Sequence, residues 1–191
     1  MAMEVIRGNL VHRSSPNGAA VYSLDERYRY RLDRDLTDLS GENPLFPSDV
    51  LPPVKPLPVV FIGLNPSTAT ETEDDPTIRR CIDFAIRLKA TKLIMLNAFA
   101  FRATAPKDMK AEPAPIGEEN DDIILDVVVE AARLGGYVIA AWGTDGAYRE
   151  RSSALRAMLR PFRIYCLGQT GSGEPRHPLY LKATSTLEPY E

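Results

Sequence analysis

The sequence predicts an α/β fold: a four-stranded parallel sheet with helices on both faces, preceded by an N-terminal β extension. Two observations carry this. Short apolar runs rich in β-branched residues (Val59 to Ile62, Lys92 to Leu96, Tyr137 to Trp142, Arg163 to Leu167) alternate with stretches of helical periodicity from residue 58 to residue 167, the pattern of strands buried on both faces and joined by crossover helices. Each run also stops at a residue suited to a site: Asn65 just past Gly63, Asn97, Trp142 with Gly143, and the segment leading to His177. Right-handed connections bring all four ends to one edge of the sheet, where open α/β sheets bind ligands.

Before that core, Val21 to Leu32 alternates from Arg27 onward, with Arg27, Arg29 and Arg31 on one side and Tyr28, Tyr30 and Leu32 on the other. This reads as a half-buried strand, one arm of a hairpin, whose arginine row is a solvated face. Asp38 to Pro58 holds Pro44, Pro47, Pro52, Pro53, Pro56 and Pro58 and reads as a wrapping connection without regular structure.

In the core, Pro58 to Thr68 (PVVFIGLNPST) is a strand that turns sharply at Gly63, Asn65, Pro66 and Ser67. Asp75 is placed to cap a helix with Pro76 at its first position, and Ile78, Ile82, Ala85, Ile86 and Leu88 form its apolar face. A second helix is expected over Gly117 to Leu134, with Ile123, Ile124, Val127, Val128 and Ala131 inward, and a third over Tyr148 to Arg160. On that third helix Arg149, Arg156 and Arg160 share a face, which makes them candidate phosphate contacts or a solvated surface.

The 191 residues fit one domain: residues 1–57 as the extension and 58–182 as the core. No apolar run approaches membrane-spanning length and residues 1–10 lack a signal-peptide core, so a cytoplasmic protein is expected. Cys81 and Cys166 without a histidine pattern offer neither a disulfide framework nor a metal site, so no metal and no cofactor are expected. A net charge of -3 argues against strong sequence-blind attraction to nucleic acid. The phosphate-cradling glycine patterns of P-loop and dinucleotide-binding proteins do not occur.

Four segments, in order, resemble the uracil-DNA glycosylase superfamily across residues 58 to 182. GLNPS (63–67) resembles its water-activating motif, G-Q-D-P-Y or G-I-N-P-G; LIMLNAFAFR (93–102) resembles the strand whose terminal asparagine reads the base; VIAAWG (138–143) resembles V-F-L-L-W-G; and RHPLY (176–180) resembles the H-P-S-P loop. GLNPS and HPLY are also shared with a bacterial family that has no function to carry over. The resemblance implies a DNA repair or modification hydrolase acting on a damaged or modified pyrimidine. In it Asn65 holds a water near the sugar C1′, His177 donates to the leaving base, Asn97 pairs with the base edge, Phe99 stacks, and Gly63, Leu64, Pro66 and Ser67 shape the pocket. Ser67 stands where uracil-specific enzymes place a tyrosine against a C5 methyl, so a C5-substituted base is admitted. Leu179 and Tyr180 replace the usual small residue and wedge, which points to single-stranded or locally opened nucleic acid rather than intact duplex. Two alternatives remain: a nucleobase- or nucleotide-binding module that does not cleave, and an α/β enzyme on a small metabolite.

Overall fold

The computed structural model describes residues 3–37 and 56–191, so the proline-rich connection falls outside the described residues except for its last three positions. The described residues form one nine-stranded mixed sheet, ordered β1 (Met3–Arg7), β2 (Leu10–Ser15), β3 (Gly18–Ser23), β4 (Arg29–Asp35), β6 (Lys92–Asn97), β5 (Pro58–Gly63), β7 (Tyr137–Ala140), β8 (Ile164–Cys166) and β9 (Glu188–Pro189). This corrects the expected four-stranded parallel sheet with helices on both faces. Parallel pairing is confined to β6–β5, β5–β7 and β7–β8, and every other pairing in the sheet is antiparallel. The extension is not an appendage: Leu32 pairs with Met95 and Asp35 with Lys92, so β4 closes the open edge of β6. An unpaired edge strand exposes a row of backbone donors and acceptors, and the N-terminal meander satisfies them here.

The meander follows from local chemistry. Gly8, at a φ of +59°, supplies the left-handed backbone that the two-residue turn between β1 and β2 requires, and Pro16 and Asn17 turn β2 into β3. The alternating stretch read as a single strand from Val21 is broken by a turn between Ser23 and Arg29. Its arginine row is divided too. Arg27 is exposed, Arg31 pairs with Asp33, and Arg29 is only 2% exposed, so the solvated face holds for Arg27 alone.

Two apolar layers flank the central strands, as the side-chain alternation of β5 and β6 dictates. Val60, Ile62, Ile94 and Leu96 join Ile124, Val127 and Val128 of α3 (Asn120–Arg133) and Leu155 and Leu159 of α4 (Arg151–Leu159). Val59, Phe61, Leu93 and Met95 join Ile78, Cys81, Phe84 and Ala85 of α1 (Pro76–Arg87) together with Val11, Tyr22 and Leu32 of the meander. Asp75 caps α1 as expected, its Oδ1 accepting from the Ile78 N–H at 2.9 Å.

The expected helix from Tyr148 is shorter at its start. Arg149 and Glu150 take φ values of +52° and +57°, which interrupt the backbone between a 3-10 segment (Thr144–Glu150) and α4. Arg149 therefore does not share a helical face with Arg156 and Arg160. A short helix, α2 (Pro106–Ala111), follows β6. Among the described residues no helix is long and apolar enough to cross a membrane.

Candidate functional site

Segments that follow all four parallel strands meet in one cavity of about 700 Å³. Leu64, Asn65, Ser67 and Thr68 come from the end of β5, Ala103, Thr104 and Pro106 from beyond β6, and Trp142 to Asp145 from the end of β7. Thr170, Gly171, Arg176 and His177 come from beyond β8, and Asp75, Pro76 and Thr77 at the start of α1 close one side.

Asn65 is held by backbone bonds that continue the β5–β6 ladder past its end: Ala98 N–H to Gly63 O at 2.8 Å, Phe99 N–H to Leu64 O at 2.9 Å and Ala103 N–H to Pro66 O at 2.9 Å. Its amide donates to Ala103 O at 2.7 Å and to Pro66 O at 3.0 Å. With both amide hydrogens engaged, the group left to act is Oδ1, an acceptor that receives no hydrogen bond among the described residues. Asn65 is thus a pure acceptor in the cavity wall.

His177 arrives from the opposite side. After β8 the chain makes a small hairpin, with Thr170 N–H to Glu174 O at 2.8 Å and Arg176 N–H to Gly168 O at 2.8 Å, and Gly143 N–H donates to Pro175 O at 2.9 Å. Gly143 has a φ of +70°, so a side chain there would be strained by the backbone conformation, while its Cβ would meet the His177 Cβ at an ordinary contact distance of 3.6 Å. Nδ1 of His177 accepts from the Leu179 N–H at 3.4 Å, a long bond that places the ring proton on Nε2. Burial lowers the pKa of His177 from its ordinary value, with Asp75 acting in the opposite sense. The residue is therefore a neutral imidazole that offers one N–H donor.

Asp75 belongs to the same wall. It is 8% exposed, its Oδ1 is used by the helix cap, and its Oδ2 accepts no hydrogen bond among the described residues. From sequence it was legible only as a cap. Arg176 and Tyr180 at the rim were equally unread as site residues; Asp145, also in the lining, is paired with Lys110 at 2.6 Å.

The remaining expected residues lie elsewhere. Asn97 is 1% exposed and does not line the cavity; its side chain packs beside Gly63, and its Nδ2 is a buried donor without a partner among the described residues. Phe99 is fully buried, with its ring centroid 6.0 Å from that of Tyr148, so it presents no face for stacking. Gly63 and Pro66 are buried supports, whereas Leu64 and Ser67 line the cavity. None of the three candidate phosphate contacts lines it. Arg149 donates to Pro113 O at 2.6 Å. Arg156 donates to Gly173 O at 2.7 Å and lies over the Tyr190 ring, lining with Arg160 a second cavity of about 470 Å³ behind Trp142.

Neither cysteine can serve as a nucleophile. Both are buried and unpaired, and burial raises the Cys81 thiol far above its usual range and Cys166 to about 11. Among the described residues no group of histidine, cysteine and acidic side chains could hold a metal ion.

No curated protein and no solved structure matches the chain. A family profile described as a protein of unknown function, DUF1643, matches residues 29–179, from the first residue of β4 to the loop that carries His177. The match spans the parallel strands, the cavity they form and the strand that closes their edge, and the chain belongs to the DUF1643 family.

Proposed function

We propose that this protein is a base-specific N-glycosylase acting on a damaged or modified pyrimidine in single-stranded or locally opened nucleic acid. One observation carries the reading: Asn65 and His177, delivered by different strands, offer an unengaged acceptor and an unengaged donor to the same cavity. In the reaction the C1′–N bond breaks and its electron pair leaves with the base. Nε2–H of His177 donates to the base oxygen where that charge collects, a bond that strengthens as the transition state forms. A water held by Asn65 Oδ1 adds its oxygen to C1′, and its proton ends on the departing base. Asn65 positions this water without being a strong base, so the mechanism depends on stabilising the leaving group.

The rim supports an opened strand. Tyr180 is 82% exposed, an aromatic face on which an unpaired base can stack, with Leu179 43% exposed near it in the chain, and the exposed Arg176, whose Nε donates to Gln169 O at 2.9 Å, lines the same cavity. Asn97, which the resemblance assigns to base reading, is absent from the cavity wall, so base choice falls to groups that line it.

The test is a panel of single- and double-stranded oligonucleotides carrying uracil, thymine mismatches and oxidised or modified pyrimidines, with abasic products revealed by alkaline cleavage. Single-turnover cleavage should fall by about 10²-fold in His177→Ala while binding is largely kept. Binding by the wild type without cleavage of any member would replace this reading with the nucleobase-binding module.

A further inference from the structure

One wall of the cavity is held from behind by the N-terminal strands. We infer that this meander is a clamp on the site and that Arg34 of β4 is its central positioning residue, acting through the connection between β5 and α1. The inference rests on reading this cavity as the functional site and does not require cleavage.

Residues 69–74 join two parts of the wall, Ser67 and Thr68 on one side and Asp75, Pro76 and Thr77 on the other. The connection forms neither strand nor helix, so most of its carbonyls need partners from other elements. The meander supplies them. Arg29 Nη1 donates to Ala69 O at 2.5 Å, Arg34 Nη2 donates to Thr70 O at 2.6 Å and to Glu73 O at 3.0 Å, and Ser15 Oγ donates to Glu71 O at 2.9 Å. Two carboxylates of the connection are gripped as well. Arg34 Nε donates to Asp74 Oδ1 at 2.8 Å, and the Tyr22 hydroxyl donates to Glu71 Oε2 at 3.1 Å. Gly18 allows the close approach, since a Cβ there would fall 2.3 Å from Glu71 O and 2.8 Å from Arg34 Nη1.

Arg34 stands at the centre of these contacts. It is 7% exposed, and its planar fork of donors reaches Thr70, Glu73 and Asp74 at once, the last being the residue before Asp75. It does not line the cavity, so whatever it does there it does by fixing the wall. Without it two buried carbonyls lose their donor from β4 and Asp74 its cation, and the connection is free to shift.

His177 reports the position of that wall from the opposite side. Asp75, Asp145 in its pair with Lys110, Arg176 and Tyr180, whose ring centroid lies 5.8 Å from the imidazole, are the charged and titratable groups around it. Burial and Asp75 are the influences on its titration, and Arg34 is not one of them. A change at Arg34 can therefore reach His177 only through the connection. The ring-proton resonance of His177 is followed by NMR against pH and assigned by its loss in His177→Ala, His12 being the only other histidine.

Arg34→Met should lower the His177 midpoint, because a released wall weakens the interaction with Asp75 that raises it, and Arg34→Lys, which keeps a donor for the carbonyls, should restore part of the shift. Val11→Ala, a cavity in the meander core away from the connection, lowers stability and should leave the midpoint at its wild-type value. On any oligonucleotide that the wild type cleaves, Arg34→Met should be slower by about 10²-fold, the effect of a site displaced by about 1 Å. If Arg34→Met fails to fold, Gly18→Ala pushes on Glu71 O with Arg34 in place and should also move the midpoint. An unmoved midpoint, an equal shift in Val11→Ala, or wild-type turnover in Arg34→Met overturns the inference. Failure of the wild type to cleave any oligonucleotide removes the glycosylase reading and leaves the clamp standing, whereas cleavage together with an unmoved midpoint does the reverse.

Discussion

Gly146→Ala tests the packing that holds the cavity floor. Gly146 is buried in the 3-10 segment, and an added Cβ would fall 2.0 Å from Cδ1, 2.8 Å from Cγ and 2.9 Å from Nε1 of Trp142. The indole cannot simply swing away. Its Nε1 donates to Glu174 Oε2 at 2.8 Å and to Ser152 Oγ at 3.3 Å, Ser152 Oγ donates to the same carboxylate oxygen at 2.7 Å, and Tyr190 meets the ring edge-on with centroids 5.7 Å apart. Overpacking of this kind costs about 1–3 kcal/mol, and displacing Nε1 from a carboxylate adds about 1.5–3 kcal/mol. Against this, alanine restricts the unfolded chain and returns roughly 0.4–1 kcal/mol. The net loss should be about 1.5–5.5 kcal/mol, a fall in Tm of roughly 3–22 °C for a chain of this size. Trp142 is the sole tryptophan in the sequence, so urea unfolding followed by its fluorescence reports both stability and the environment of the displaced ring. Gly171→Ala, where a Cβ meets nothing within 4 Å, is the control and should stay within about 0.5 kcal/mol of wild type. A Gly146→Ala protein as stable as that control, with unchanged native emission, would refute the reasoning.

Three further outcomes are expected. Cys81 and Cys166 should resist a thiol reagent in the native protein and react on addition of denaturant, since both are buried and their thiols are raised; labelling of either under native conditions would contradict their burial. His177 has a folded pKa below its unfolded value of about 6.5, so between the two the unfolded chain binds more protons and its contribution to stability is present above pH 6.5 and is lost as the pH falls toward the folded value. The urea midpoint should decline across that window more steeply in wild type than in His177→Ala, and parallel curves would show that His177 is not buried as described. Asn97→Ala should alter stability and leave oligonucleotide binding unchanged, because the amide is buried beside Gly63 and does not line the cavity; weakened binding would mean that the cavity opens to Asn97 when occupied.

Sequence alone determined the four central strands, the order of the segments that build the cavity, and the cap at Asp75 with Pro76. Strands buried on both faces must be apolar throughout, and a cap is a contact over three residues, so both leave local marks. The sheet as a whole was decided by tertiary pairing. In the meander Val21 to Leu32 reads as a half-buried strand of an extension, and only the long-range ladder of Leu32 with Met95 and Asp35 with Lys92 makes it part of the central sheet. The same holds for individual side chains. Arg29 looks solvated until the loop that carries Ala69 covers it, and Arg149 reads as helical until two positive φ angles delay the start of that helix to Arg151. Asn97 and Asp75 exchanged their expected importance for a related reason. A polar residue at the end of a strand or at a helix cap can face the packed layer or the crevice, and which one it faces depends on the neighbouring elements and on what lies above it. The close approach of Asn97 to Gly63 buries the first, and the convergence of α1 with the His177 loop turns the second toward the cavity.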